Sequence, residues 1–439
     1  MIDGKQSLIE LETLSKKVAA AISELDSVRL ISHNDADGIS AAGIMCNALH
    51  RSGIQFHATI VSHFDQSTIE LIEKTSSGTV ILCDMGSGQT ELSSKIKEAI
   101  IIDHHKPTGE LEHLQLNPHL VGIDGSSELC ASCGAYMVAR EMGENTDLAG
   151  LAIAGATGDK QPMKGANKFI LDEAVEKKIV SVRKGLRMGD DPVGEFFESS
   201  IDPFLDITGD KDKIRGFLEE AGVGGRIKDL TNEQMTKFAS LIALKLARQG
   251  SLPAIESLIG EIFILNNEVI SNMYDLVNVL NACGNAERAG LGLAVCMRDT
   301  SAASEALETM RENQRVLIST IRKAQTHVRS GQNLRYVMLE DSSGTGAIAG
   351  TMTRYLFPDK PFVTLNEVEN MIKISARGTR KLVAAGLDLA AGMREAASSV
   401  GGMGGGHDVA SGATIPKGTA MKFIDILDSI IGKQLKGKA

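Results

Sequence analysis

Four short segments carry most of the side chains able to do chemistry. His33-Asn34-Asp35-Ala36-Asp37-Gly38 alternates an imidazole with two carboxylates, Asp84 follows Ile81-Leu82-Cys83, Asp103-His104-His105 follows an isoleucine run, and Asp159 sits in Gly155-Ala156-Thr157-Gly158-Asp159-Lys160. Oxygen and imidazole donors together suit Mn²⁺ or another hard-to-borderline divalent ion. Taken singly, each segment has an ordinary explanation. Asp37-Gly38 is turn punctuation, and an Asp before a helix caps it. Two adjacent histidines after an aspartate are harder to place without partners, and histidine is the commonest metal ligand. Together the four supply ligands for two cations. A carboxylate-bridged pair sits about 3.5–4 Å apart, generates hydroxide at neutral pH and stabilises both oxygens of an in-line displacement at phosphorus. Acyl transfer is not indicated, since no G-x-S-x-G elbow occurs in the chain.

The elements that must position these residues follow from the apolar pattern. Ser27–Ser32 reads as a strand running into the first segment, with a helix at Ile39–Arg51; Gln55–Ser62, Thr79–Cys83 and Ala99–Ile102 are further strands, with helical patterns between them. Strands alternating with helices predict an α/β fold with a mainly parallel sheet. Ligands of such sheets lie outside the strand carboxyl ends, where three of the four segments fall: after Ser32, Cys83 and Ile102. Residues 7–25 read as an amphipathic helix, 134–158 as helical, and 166–330 as mostly helical, ending in a long helix at about 301–329. A second α/β unit follows, with strands at Leu334–Leu339, Phe362–Asn366 and Met371–Ala376 and helices at Leu387–Ser399 and Thr419–Leu435, the last ending in a basic tail.

A second candidate site lies in that unit. Consecutive glycines in Gly404–Ala413 let backbone N–H groups crowd a phosphate, and His407 adds a donor. A flexible loop explains the glycines equally well. Arg377, ending a strand, offers bidentate phosphate contacts. Two such elements in one small unit point to a substrate clamp rather than a second catalytic centre.

Composition narrows the classes. At roughly 100–200 residues per domain, 439 residues suggest two or three domains. The absence of Trp and an aromatic content of 4% argue against a binder built on many stacking platforms. A net charge of −10 speaks weakly against wrapping a duplex and is neutral toward a metallonuclease, because acidic ligands bias the sum. Six dispersed cysteines, including the lone Cys130-Ala-Ser-Cys133, read as reduced structural thiols. With no hydrophobic signal core at the N-terminus and no apolar run of about 18 or more residues, the expectation is a cytoplasmic protein without a membrane span.

In order, HNDADG (33–38), ILCDMGSG (81–88), IDHHKP (102–107) and GATGDK (155–160) resemble the four motifs of the DHH phosphoesterases. KISARG (373–378) and GGGHDVASGA (404–413) resemble the DHH-associated C-terminal domain, LNACGN (280–285) resembles the motif preceding the connecting helix of RecJ-like exonucleases, and the overall layout resembles the archaeal RecJ-like type most. The resemblance implies a catalytic domain over 1–300 with a helical insertion at about 185–265, a connecting helix at 301–330 and a smaller α/β substrate-binding domain over 331–439. It further implies that His33, Asp35 and Asp84 hold one Mn²⁺, and that Asp37, Asp84, His104 and Asp159 hold the other, with Mg²⁺ or Co²⁺ as substitutes. His105 would then face the scissile phosphate, with Asp103 orienting the histidines. Arg377, Gly405, Gly406, His407 and Asn281 would contact substrate.

The function implied is exonucleolytic hydrolysis of single-stranded DNA or RNA to mononucleotides. The alternatives are a phosphodiesterase of short oligonucleotides, cyclic dinucleotides or phosphoadenosine phosphate, and a replication or repair scaffold. The implied protein partners are the replisome GINS complex or a repair helicase. Two departures stand out: Asn285 occupies a position where relatives carry Arg, with Arg288 three residues on, and Ser411 replaces Ala.

Overall fold

The computed structural model describes residues 4–75, 78–249, 254, 255, 258–340, 342 and 344–436; the end of the basic tail lies outside them. By internal contacts the chain divides into two compact units, Met1–Lys184 with Glu261–Met310, and Gly185–Gly260 with Arg311–Ala439.

The first unit is built on five parallel strands, β1 (Ser27–His33), β2 (Gln55–Val61), β3 (Val80–Cys83), β4 (Ala99–Ile102) and β5 (Leu114–Leu116), in the order β2-β1-β3-β4-β5. Their sequences are apolar runs because both faces are covered. Leu30, Ile81, Ile100 and Ile102 enter one buried cluster, while Ile31, Leu82 and Ile101 enter another. The register sets Ser32 opposite Cys83 and Cys83 opposite Ile102. The next residues, His33, Asp84 and Asp103, therefore line up along one carboxyl edge. The strand order reverses between β1 and β3, the switch point where such sheets open a crevice.

Helix Ala36–Arg51 is buried from Ala36 to Leu49. Its small residues permit close approach: a Cβ on Gly43 would lie 2.4 Å from Cys296 Cβ. Helices Ala131–Met142, Ala149–Gly158 and Met273–Asn285 share its core. All six cysteines are buried and free. No helix among the described residues is long and apolar enough to cross a membrane.

Helix Ala302–Gln325 begins in the first unit and ends in the second. A two-stranded sheet of β6 (Val180–Leu186) and β7 (Ile259–Leu265) follows β5 in chain order, and the second unit holds a mixed six-stranded sheet formed by β8 (Arg329–Ser330), β9 (Arg335–Leu339), β10 (Phe362–Val368), β11 (Met371–Arg377), β12 (Met403–Gly406) and β13 (Ala410–Pro416), in the order β12-β13-β11-β10-β9-β8. The segment expected as an insertion, about 185–265, contributes Phe197, Phe217 and Phe238 to a core shared with Leu317, Ile318, Val337 and Phe362 of this unit. Its buried phenylalanines meet edge-on or tilted, at centroid separations of 5.5–6.2 Å.

Candidate metal centre

Each acidic segment of the first unit reaches the carboxyl edge of the sheet by its own local logic. Asp35 caps helix Ala36–Arg51, its Oδ1 accepting from Gly38 N at 2.9 Å. Its Oδ2 lies 2.9 Å from His33 Nδ1 at the end of β1. Asp37, in the first helical turn, is fully enclosed. Its carboxylate accepts from Ala131 N (2.8 Å) and Ser132 N (2.9 Å), the opening amides of helix Ala131–Met142. A helix N-terminus is a favourable place for a negative charge. That contact needs Gly155, since a Cβ there would fall 2.0 Å from Ser132 Oγ and 2.3 Å from Asp37 Oδ1. Asp84 stops β3 at φ 59°, a left-handed conformation uncommon outside glycine.

Asp84 stands between two ligand groups. Its Oδ2 is 3.4 Å from His33 Nδ1 and its Oδ1 is 3.2 Å from His104 Nε2. His104 Nε2 is also 3.4 Å from Asp159 Oδ2 and 3.9 Å from Asp37 Oδ2. His33, Asp35 and Asp84 form one compact group of possible ligand atoms, and Asp37, His104 and Asp159 form another. Asp84 Oδ1 is buried without a hydrogen-bond partner among the described residues, an arrangement that costs free energy unless a cation or donor arrives.

The electrostatics agree. Burial, then the nearby Asp84 charge, pushes the Asp37 carboxyl above its usual range, and burial with Asp37 pushes Asp159 well above its own. Burial alone would lower His104, but the carboxylates of Asp84, Asp159 and Asp37 outweigh it and hold the imidazole well above the ordinary histidine range; Asp35 and Asp84 do the same for His33. The cluster thus holds more negative charge than its own groups can neutralise, and it draws in protons where cations would serve. Its donors fit a pair of divalent ions.

His104 and His105 diverge. The His104 side chain is 3% exposed, while that of His105 is 31% exposed. Asp103 Oδ1 accepts from His105 Nδ1 (2.8 Å) and from the amides of His104 and His105, while Oδ2 accepts from Ser87 N. This fixes the proton of His105 on Nδ1 and leaves Nε2 for other partners. Asp103 therefore orients the ring of His105, whereas the ring of His104 is held by Gly125 O at 2.7 Å.

Helix Met273–Asn285 supports the first segment. Asn281 Oδ1 accepts from Ala36 N at 2.9 Å, Asn34 Nδ2 donates to Gly284 O at 3.2 Å, and a Cβ on Gly284 would collide with Asn34 O. Asn281, marked in the sequence as a substrate contact, has its oxygen committed to this loop. Asn285 ends the helix, and Arg288 is engaged by Glu305 and Thr309.

In the second unit, Arg377 closes β11, with Nη1 donating to Ala376 O (3.0 Å) and Nη2 lying where a Cβ on Gly346 would fall at 2.7 Å. Arg377 pairs with Ala410, whose carbonyl accepts from His407 N at 2.8 Å, so Arg377 and the Gly405-Gly406-His407 turn share one end of the sheet. Ser411 donates its hydroxyl to His407 O at 2.6 Å. Thr345 and Ser375, bonded to each other at 2.9 Å beside this end, carry no motif that the sequence could show. The same is true of the amides of Ala131 and Ser132.

Comparison with known proteins agrees with this architecture. Residues 27–156 match the family model described as DHH family, N-terminal domain, and residues 333–433 match the DHHA1 domain. The chain is 33% identical over 445 residues to an uncharacterized protein of Methanocaldococcus jannaschii, covering 98% of this chain and 99% of that one. It is 24% identical over 210 residues to the single-stranded-DNA-specific exonuclease RecJ of Bacillus subtilis, covering 44% of this chain and 27% of that protein. The crystal structure of RecJ from Thermus thermophilus in complex with Mn²⁺ superposes with a TM-score of 0.59 at 15% identity, covering 96% of this chain and 55% of that one. The chain thus spans about a quarter of one RecJ and just over half of the other.

Proposed function

Because the chain belongs to the DHH family and carries a DHHA1 domain, we propose that it is a two-metal, Mn²⁺-dependent phosphodiesterase that trims single-stranded DNA or RNA as an exonuclease. The observation that carries this reading is Asp84, a buried carboxylate whose two oxygens face different ligand groups on one sheet edge. His33 and Asp35 with Asp84 would hold one ion; Asp37, His104 and Asp159 with Asp84 would hold the other. When bound, such a pair supplies hydroxide at neutral pH and neutralises charge on the phosphoryl oxygens.

The remaining roles belong to the chain's own side chains. His105, with its proton fixed on Nδ1 by Asp103, presents Nε2 from the exposed side of the cluster. In its protonated form it donates to a non-bridging phosphate oxygen as charge develops there. Arg377 and the Gly405-Gly406-His407 turn grip a substrate phosphate, and this contact reads backbone rather than base. The sugar-neutral character of these groups leaves DNA and RNA as joint candidates, since discrimination requires a contact to the 2′-OH. The similarity to the B. subtilis exonuclease supports the choice of a single strand.

The test uses purified protein, Mn²⁺ and single strands of DNA and RNA labelled at either end, with Asp84→Ala beside it. Ladders or mononucleotides that vanish in the variant are the expected result. Intact strands under all conditions, with dinucleotides still cleaved, would replace this reading with a small-substrate phosphodiesterase.

A further inference from the structure

Behind His104, away from the carboxylates, runs a buried chain of side-chain amides. Gly125 O accepts from His104 Nδ1 at 2.7 Å and from Gln161 Nε2 at 2.8 Å, and Gln161 Nε2 lies 3.4 Å from His104 Nδ1 itself. Gln161 Oε1 accepts in turn from Asn167 Nδ2 at 2.8 Å, and the same Nδ2 is 3.5 Å from Pro162 O. Gln161 is 6% exposed and Asn167 is wholly buried.

Both ends of this chain are backbone carbonyls, which can only accept. The amides between them can therefore be oriented in only one way. Asn167 must turn its NH₂ toward Gln161 and Pro162, Gln161 must turn its NH₂ toward Gly125, and His104 must carry its donated proton on Nδ1. Nε2, stripped of its own proton when an ion binds, is then directed at Asp84, Asp159 and Asp37. Stability alone does not account for the arrangement, because Asn167 Oδ1 is left buried without a partner, a cost that an apolar side chain of similar size would avoid. Gly125 adds a constraint of its own: a Cβ there would lie 2.0 Å from His104 O.

We propose that Gln161 and Asn167 are positioning residues that hold the Gly125 carbonyl and the His104 ring in the ligating orientation, and so set the affinity of the ion position formed by Asp37, His104, Asp159 and Asp84. The proposal rests on the two-metal reading above. It adds that one of the two positions depends on an amide chain with no counterpart at the other, where His33 is oriented by Asp35 and Asp84 alone among the hydrogen bonds and ion pairs described for its ring. Outer partners of this kind typically change metal affinity about 10–100-fold.

The test is a Mn²⁺ titration of the full chain followed by the electron paramagnetic resonance signal of free ion, for wild type, Gln161→Met and Asn167→Leu, with thermal midpoints recorded to confirm folding. Gln161→Met keeps the volume and removes the amide; Asn167→Leu leaves Gln161 in place but frees its orientation. The expected result is two bound ions in wild type, with one class weakened about tenfold or more in Gln161→Met and less in Asn167→Leu, and the other class within about threefold of wild type. Gln161→Glu, which still accepts from Asn167 but loses the NH₂ given to Gly125 O, should weaken the same class as Gln161→Met does. Two unchanged classes in both variants, or equal weakening of both classes, would overturn the proposal while leaving the two-metal reading intact. A wild-type chain that binds no Mn²⁺ would overturn both.

Discussion

In the first unit, five carboxylates and three imidazoles crowd the end of a parallel sheet, with Asp37, Asp84 and His104 almost wholly enclosed. In the second unit, the candidate clamp consists of one arginine, a glycine turn and a histidine at the end of an antiparallel ribbon. The first site is made of side-chain charge and is starved of cations. The second is built around one guanidinium and carries positive charge of its own. The contrast separates two tasks. Chemistry on a phosphodiester needs ligands held rigidly against their mutual repulsion, whereas holding a phosphate needs donors that can approach closely. The structure also shows how the repulsion is contained: the amides of Ala131 and Ser132 hold Asp37, those of Ser87, His104 and His105 hold Asp103, and Gly38 N holds Asp35.

Substitutions should break the two sites differently. The largest effect is expected from Asp84→Ala, which removes a ligand from both groups: activity should fall about a thousandfold or more, with tight Mn²⁺ binding lost. Next, His105→Ala should lower kcat about 10²–10³-fold with little change in KM, because it removes a donor needed as charge develops. Arg377→Ala should do the reverse, raising KM about tenfold or more with kcat nearly kept, as loss of a charge-assisted contact predicts. If the two variants gave the same pattern, the division of labour between the sites would be wrong.

Gly155→Ala should cost about 1–3 kcal/mol in denaturant unfolding, since the new methyl has no room beside Asp37 and Ser132. Ser411→Ala should be the mildest, within about 1.5 kcal/mol, for the loss of one hydroxyl donated to His407 O.

Acidity offers a further separation. His33 and His104 are held well above their ordinary range by the surrounding carboxylates, so the metal-free cluster carries protons that an incoming cation must expel. Mn²⁺ affinity should therefore rise as pH rises, and proton release on binding should be measurable by calorimetry in buffers of different ionisation enthalpy. Substrate grip by Arg377, whose guanidinium stays charged throughout, should not follow that profile.

Much of the first site was legible because its residues end apolar strands, and a parallel sheet brings its carboxyl ends together whatever the intervening sequence. His33, Asp84 and Asp103 each follow such a run. What stayed hidden depends on groups without a sequence signature. The amides that hold Asp37 belong to a segment whose visible feature was a pair of cysteines. Gln161 and Asn167 are common residue types, and only their burial marks them. The oxygen of Asn281 serves Ala36 N, a contact that no motif in the sequence announces. The packing of residues 185–260 could not be read either, since an amphipathic helix shows which face it buries but not against which core. Phe197 and Phe238 share theirs with Val337 and Phe362, far along the chain.

The central claim is that Asp84 joins two ion positions. Crystals soaked in Mn²⁺ and measured at the manganese absorption edge test it most directly. The account predicts two anomalous peaks about 3.5–4 Å apart, one beside His33 and Asp35 and the other beside Asp37, His104 and Asp159, with Asp84 touching both. A single peak, or two peaks that do not share Asp84, would contradict it.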